Sequence, residues 1–302
     1  MAIHSHRYIY SLILLFTFLF YGFQETYAQQ TPETVRLMTF NIRYNEPNDG
    51  EDAWPHRKDH VVSMIRFHKA DIIGVQEALK GQLDYLAEKL TEYAWFGVGR
   101  DDGKEAGEFT AIFYRKTQFK LISQATFWLS ETPEKPSVGW DAALNRTATW
   151  GKFIDNVTEK TFFVFNTHFD HRGENARTQS AKLLVKKANE IAADAPAFII
   201  GDFNVTPETE AYAVLNDGNA ASGKKFRDAR YLSETPHHGP EGTFTGFKLA
   251  ELREEPIDFI FAESNCKVLF HGVLLDTFNG RLPSDHLPVL IEVALKSTNI
   301  EK

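Results

Sequence analysis

Five short clusters of Asn, Asp, Glu and His, each at one end of a β-type apolar run, constrain this chain more than any other feature. Four of them close a run: Phe40-Asn41, Gln76-Glu77, Asn166-Thr167-His168 and Gly201-Asp202-Phe203-Asn204. The fifth, Ser284-Asp285-His286-Leu287-Pro288-Val289, leads straight into Leu290-Ile291-Glu292-Val293. One such cluster is weak evidence. Five in one chain point to a single site assembled on the edge of a sheet sandwich.

The patterning between the clusters supplies the rest of the frame. Apolar alternation or short apolar runs predict strands at 35–40, 71–75, 109–114, 119–129, 147–154, 161–165, 197–200, 257–261 and 288–295. Helical spacing predicts helices at 57–68, 80–90, 177–193 and 208–215. Residues 218–223 and 236–246 read as loops. No repeat, low-complexity tract or linker divides the chain. Many connections are too short for crossover helices, so antiparallel pairing is expected. One domain with helices outside two packed sheets follows.

The chain has 302 residues, 43% hydrophobic and 25% charged, with 25 phenylalanines. That is globular composition with ample material for a core. The single cysteine, Cys266, rules out an internal disulfide and reads as a small buried hydrophobe. The formal net charge of −8 argues against a protein that grips long nucleic acid by neutralising phosphates. It leaves room for a local basic groove. At the N-terminus, His4, His6 and Arg7 precede an apolar run over 8–23, and Thr26-Tyr27-Ala28 offers a small-x-small cleavage site before Gln29. This is the layout of a secretory signal peptide over 1–28. The expectation is a secreted or periplasmic product, with no membrane span after cleavage and a monomeric state.

The strand-end inventory is Asn41, Glu77, His168, Asp202, Asn204, Asp258, Asp285 and His286. Carboxylates and an amide oxygen suit a hard cation such as Mg²⁺, with Mn²⁺ as the other candidate. Zinc fits less well, with no thiolate available and no HExxH helix. Two histidines at separate strand ends suit acid–base work or charge stabilisation on a phosphoryl group. Asp258 could orient His286, and Glu108 could orient His168. Asp258 in an otherwise apolar strand is hard to explain unless it is paired.

The motifs LMTFNIR (37–43), DIIGVQE (71–77), FNTHFDH (165–171), IIGDFN (199–204), PIDFIF (256–261) and SDHLPV (284–289) resemble, in order and spacing, the endonuclease/exonuclease/phosphatase superfamily. That superfamily includes deoxyribonucleases, abasic-site endonucleases, inositol polyphosphate 5-phosphatases, sphingomyelinases and deadenylases. The resemblance implies an α/β (α+β) fold over 34–297: a four-layered α/β/β/α sandwich of two mainly antiparallel sheets flanked by helices. It implies Glu77 as the principal Mg²⁺ ligand, with Asn41 and Asp285 close to the ion. It implies Asp202 as the group that orients or activates water, and Asn204 as a ligand of the scissile phosphate. His286 held by Asp258 would act as base or stabilise the phosphorus, while His168 would contact the phosphate or leaving group. Glu108, Arg146, Asp170, His171 and Arg172 complete the set as substrate-binding candidates, Arg172 on a second phosphate.

Other features are open to two readings. Trp54, His56 and Arg57 could form a stacking or anion-binding rim, or a hydrophobic staple into a helix. His237 and His238 read as solvated loop residues. Arg177 and Gln179 resemble the deadenylase branch. Neither a basic recognition loop nor a Lys-rich signature is evident. The expected activity is metal-dependent phosphodiester hydrolysis, first as an endo- or 3′–5′ exonuclease on short nucleic acid. The alternative is a phosphatase or phosphodiesterase on small-molecule or lipid-headgroup esters. A non-catalytic binding protein on the same fold is the reading from another class.

Overall fold

The alternation in the sequence becomes twelve strands, seen in a computed structural model that describes residues 34–216 and 223–295. The expected signal segment, and all of the expected 218–223 loop but Gly223, lie outside the described residues. In chain order the main elements are β1 (Thr34–Asn41), α1 (Trp54–His68), β2 (Ile72–Gln76), α2 (Lys80–Lys89), β3 (Tyr93–Phe96), β4 (Ile112–Arg115), β5 (Phe119–Trp128) and β6 (Thr147–Asp155). They continue with β7 (Thr161–His168), α3 (Glu174–Ala192), β8 (Ala197–Asp202), α4 (Glu210–Leu215), β9 (Phe226–Asp228), β10 (Asp258–Glu263), β11 (Lys267–Val273) and β12 (Val289–Ala294).

Two six-stranded sheets result, ordered β11-β12-β1-β2-β4-β3 and β5-β6-β7-β8-β10-β9. Each has one parallel pair near its middle, β1 with β2 and β7 with β8; every other pairing is antiparallel. The two parallel pairs are the ones whose connections contain a long helix, α1 and α3, as a crossover demands.

The period of two assigns each strand residue to a layer. Val35, Leu37, Ile72, Phe162, Val164, Phe198, Ile200 and Ile260 fill the space between the sheets. Their neighbours Met38, Phe40, Ile73 and Val75 pack in a second cluster with residues of α1 and α2. Phe163, Phe165, Ile199 and Phe261 pack in a third with residues of α3 and α4. The inward-facing series then continue past the apolar core in the same phase. Leu37 is followed by Thr39 and Asn41, Val164 by Asn166 and His168, Ile200 by Asp202. The series through Ile260 reaches Asp258. The polar end of the inter-sheet core is therefore the candidate site.

A buried amide clamp closes the core beneath it. Gln76 Nε2 donates to Asn166 Oδ1 (2.6 Å) and Thr39 Oγ1 (3.0 Å). Asn166 Nδ2 donates to the carbonyls of Val75 and Ala111 across the sandwich. Gly74 faces this amide closely enough that a Cβ there would stand 2.6 Å from the Asn166 side chain.

Several element boundaries differ from the sequence expectation. Helix α1 begins at Trp54 because Pro55 opens its first turn. Helix α3 begins at Glu174: Asp170 Oδ1 accepts from the amides of Arg172 and Gly173, and Asp141 Oδ1 accepts from that of Ala176. Those contacts occupy amides that a helix start leaves unpaired. Phe109 makes only isolated bridges, and residues 110–111 belong to no strand before β4. Strands β3, β9 and β11 were not anticipated: two are very short, and β11 is an edge strand with a register shift between Val268 and Phe270. Among the described residues no helix is long and apolar enough to cross a membrane.

Candidate active site

Sheet register sets the first row of the site. Parallel pairing of β7 with β8 puts His168 beside Asp202, and antiparallel pairing of β8 with β10 puts Asp258 on its other side. The first sheet contributes Asn41, paired with Gln76 at the ends of β1 and β2, so that Glu77 follows directly. The segment before β12 brings Asp285 and His286. It is fixed by Ser284 Oγ donating to the Asn41 carbonyl (2.7 Å) and by a short bridge to Phe244. Thr243 reinforces that bridge: its hydroxyl accepts from the amides of Ile257 and Asp258, and its carbonyl accepts from the amide of Leu287.

Asn41 joins the two sheets at the centre. Its Nδ2 donates to Glu77 Oε1 (3.0 Å) and to Asp202 Oδ2 (2.9 Å), and lies 3.4 Å from His286 Nε2. Its Oδ1 accepts from the Arg43 amide, so the atom facing the acids is nitrogen; a half-turn of the amide would present oxygen. His286 Nδ1 is 2.9 Å from Asp258 Oδ2. His168 Nε2 is 3.5 Å from Asp202 Oδ2, and His286 Nε2 is 3.8 Å from the same oxygen. Asp202 Oδ1 accepts from the Asn204 amide, and Asn204 Nδ2 donates to the Phe169 carbonyl. Glu77 and Asn204 both carry left-handed backbone, φ 62° and 51°. Such strain in ordinary residues is held in place by surrounding structure and clusters at functional sites.

Burial governs the electrostatics. It pushes the Asp202 carboxyl up to about 7, with the charge of Asp258 adding to the effect. Asp285 also moves up, chiefly by burial. Burial works against the His286 imidazolium, but Asp258 and Asp202 outweigh it and raise the group well above the usual imidazole range. His168 has the opposite fate: burial, then Arg146 and Arg100, hold it well below that range and keep it neutral.

These groups line a cavity of 450 Å³. Its floor includes Glu77, Asp202, Asp285, His168 and His286; its walls include Arg43, Arg146, His171, Phe244 and Arg253. Glu77, Asp202 and His286 each present a ligand atom within 4.8 Å of the others. The guanidinium of Arg43 lies 3.9 Å from Glu77 Oε2 and 4.0 Å from Asp285 Oδ2. A donor set dominated by carboxylate oxygens, with no sulfur, fits a hard divalent cation.

The substrate-binding candidates separate on inspection. Arg146 is buried, with Nη2 2.9 Å from His171 Nδ1 and Nε 3.3 Å from Asp170 Oδ2. Arg146 and His171 face the cavity. Asp170 does not: it is buried, caps the approach to α3 and pairs with Arg146. Burial works to raise its carboxyl, but the amides of Gly173 and Arg172 bring it down to about 2. Arg172 is exposed and outside the cavity lining. Glu108 lines the cavity, but its partner is Arg100 (2.7 Å); His168 Nδ1 is 3.8 Å away, beyond hydrogen-bonding range. The expectation that Glu108 directly orients His168 is corrected accordingly.

Three further readings change. Arg57 is no anion-binding rim: it is buried and donates to the carbonyls of Ile42, Arg43, Asp52 and Pro283. Arg177 donates to the Asp170 carbonyl and Gln179 to Asn175, so both serve the α3 region. His237 is not simply solvated, since its Nδ1 is 2.9 Å from His271 Nδ1. Arg43, Tyr44, Leu144, Phe244, Arg253 and Ile257 line the cavity without having been singled out. The position of Arg43, two residues after Asn41, was the available signal for it, and that of Ile257 was its place at the start of the apolar run 257–261; the others sit in segments without periodicity.

Comparison with known proteins matches this architecture. An endonuclease/exonuclease/phosphatase from Bacteroides vulgatus superposes with a TM-score of 0.81 at 42% identity, covering 87% of this chain and 99% of that one. The mannosyl-6-phosphatase of Bacteroides thetaiotaomicron superposes with a TM-score of 0.80 at 37% identity, covering 86% and 99%. The CCR4-Not complex 3′-5′-exoribonuclease subunit Ccr4 of Mycosarcoma maydis is 21% identical over 346 residues, and the alignment covers 89% of this chain but only 52% of that protein. The Endonuclease/Exonuclease/phosphatase family profile matches residues 38–286. With that span matched and the two-sheet architecture in place, the chain belongs to the endonuclease/exonuclease/phosphatase family.

Proposed function

We propose that this chain is a metal-dependent phosphatase of small phosphorylated molecules, with sugar phosphates as its first substrate class. The observation that carries the reading is the cavity: 450 Å³, acidic at its floor, with Arg43, Arg146 and His171 in its lining. Its size suits a small ligand. A phosphate monoester carries more charge than a diester and benefits from cationic donors around its terminal oxygens. The net charge of −8 remains unfavourable for a long polyanion. The mannosyl-6-phosphatase, at 37% identity, supports the same direction.

Glu77 and Asp285 would hold the cation, with Asp202 beside it; Mg²⁺ is the proposed ion and Mn²⁺ a substitute. When bound, it supplies charge neutralisation on the phosphoryl oxygens. Asp202 is placed to orient water and take its proton. Asn41 fixes the carboxylate in position. His286, held by Asp258, and neutral His168 flank the reacting phosphate as hydrogen-bond donors, and Asn204 adds an amide donor. Fixed donors of this kind stabilise developing charge without reorganising. Arg146 and His171 anchor the phosphate from the wall. The N-terminal leader supports export of the enzyme before it meets its substrate.

A nuclease remains the second reading, favoured by the similarity to the exoribonuclease subunit. The test is a panel of hexose phosphates, p-nitrophenyl phosphate, bis-p-nitrophenyl phosphate, RNA and single-stranded DNA, each with Mg²⁺, Mn²⁺ or EDTA. EDTA-sensitive hydrolysis of hexose phosphates over nucleic acid is expected. Cleavage confined to nucleic acid would replace the proposal with the second reading.

A further inference from the structure

Two arginine–aromatic stacks face the cavity, and they differ in one respect. Arg43 lies over the Tyr44 ring, 4.4 Å from its centroid. Its guanidinium is also gripped by both oxygens of Asp49 at 3.0 Å and stands near Glu77 and Asp285, so its charge is neutralised within the protein. Arg253 lies over the Phe244 ring, 4.7 Å from its centroid, and its amide donates to the Phe244 carbonyl (3.0 Å). No carboxylate among the described residues pairs with it. Phe244 in turn meets His286 edge-on, with centroids 5.0 Å apart, and is fixed by its bridge to that residue. Arg253 is thus a held but unneutralised cation, one aromatic ring from the catalytic histidine.

We infer that Arg253 binds a second anionic group of the substrate, about one sugar ring from the scissile phosphate. The preferred substrate is then a small sugar carrying two anions: the phosphate to be removed, and a phosphate or carboxylate that stays with the leaving group. This rests on the phosphatase reading above and specifies its substrate class. The phosphate to be removed already has the acidic floor and the cation that floor would hold, together with Arg146 and His171. Stacking on Phe244 holds the flat side of the Arg253 guanidinium and leaves its N–H edge for a bidentate contact. Leu144, also in the lining and partly exposed, offers apolar cover for the ring.

The test compares a hexose monophosphate, a hexose bisphosphate, a carboxylated sugar phosphate and p-nitrophenyl phosphate on wild type, Arg253→Gln and Arg253→Lys. Wild type should show a lower KM for the doubly anionic sugars than for the monophosphate. Arg253→Gln should raise KM for those sugars about tenfold, leave their kcat within twofold, and raise KM for the monophosphate and p-nitrophenyl phosphate by about twofold at most. Arg253→Lys should recover part of the loss, more for the phosphate than for the planar carboxylate. Equal KM effects on all substrates, or no wild-type preference for the second anion, overturn the inference. Turnover of p-nitrophenyl phosphate with no difference among sugars defeats this inference alone. Failure on every monoester with Mg²⁺ and Mn²⁺ defeats the phosphatase reading itself. An Arg253-dependent KM seen only with an oligonucleotide would overturn the small-sugar assignment and place the second anion on a neighbouring nucleotide.

Discussion

Asp258 turns its Oδ2 to His286 Nδ1 at 2.9 Å while standing opposite Asp202 in the β8–β10 ladder. One carboxylate therefore fixes the imidazole and adds negative charge beside the other carboxylate. Replacing Asp258 by Asn should keep the shape and remove the charge. We expect kcat to fall about 100-fold or more, by analogy with loss of the orienting acid in other His–Asp pairs. With its main counter-charge gone, His286 should lose its proton at lower pH. If the protonated ring is the active form, the alkaline limb of the pH–rate profile moves to lower pH. An unmoved limb, measured with p-nitrophenyl phosphate, would separate His286 from that limb.

Glu77→Gln removes a charged oxygen from the acidic floor without changing its volume. An electrophilic contact of this kind is worth several kcal/mol, or about a thousandfold in rate. Activity should fall by that order and metal affinity, read by calorimetry, should weaken. The melting temperature without metal should stay close to wild type. A folded variant with near-normal turnover would remove Glu77 from the metal assignment.

Far from the cavity chemistry, the His237–His271 pair predicts an acid-sensitive term in stability. His237 Nε2 lies 2.9 Å from the Pro240 carbonyl, which can only accept, so His237 donates there and its Nδ1 accepts from His271 Nδ1–H. Burial, then His237, brings the His271 imidazole down to about 3. The unfolded group titrates near 6.5. Between these values the unfolded chain binds the extra proton, so stability from this group is complete above pH 6.5 and is lost as pH falls towards 3. The slope is about 1.4 kcal/mol per pH unit. Denaturant titrations from pH 7 to 4 should show a shallower slope for His271→Gln than for wild type; parallel slopes would contradict a buried, neutral His271.

Gly74→Ala tests the amide clamp. The added methyl would meet Asn166 Cγ and Oδ1 at 2.6 Å and Ile200 Cδ1 at 2.7 Å. Overpacking of this kind costs about 1–3 kcal/mol, and here it also disturbs hydrogen bonds to Gln76 and two carbonyls. A lowered urea midpoint with an unchanged slope is the expected result. A neutral substitution would mean that the clamp moves aside freely.

The parts legible in the sequence share one physical origin. Asn41, Glu77, His168, Asp202 and Asp258 sit on or directly beside strands marked by apolar alternation or by short apolar runs, so their common location follows from strand ends. Arg253 and Phe244 were not legible because the segment from 241 to 256 has no period and is positioned by backbone contacts to Asp285 and Leu287. Glu108, paired with Arg100, and Asp170, paired with Arg146, were misread for a related reason. A charged residue in a loop gives no sign of whether it meets substrate or another buried charge, and both pairs are decided by contacts between irregular segments. Asp170 followed by Arg172 suggested an anion site, yet its carboxylate is used by the amides that lead into α3.

The shared phase of core and site has a consequence for how this chain can change. Because the same alternation that sends Leu37 into the inter-sheet core sends Asn41 into the cleft, a one-residue insertion between them would deliver Phe40 to the cleft and put Asn41 under α1. The same slip in β7 or β8 would exchange His168 for Thr167, or Asp202 for Gly201. Chemistry and packing are written in one reading frame along these strands. Length variation can be absorbed only in the loops, where Arg253 and Leu144 reside, so substrate choice can drift while the reaction stays fixed.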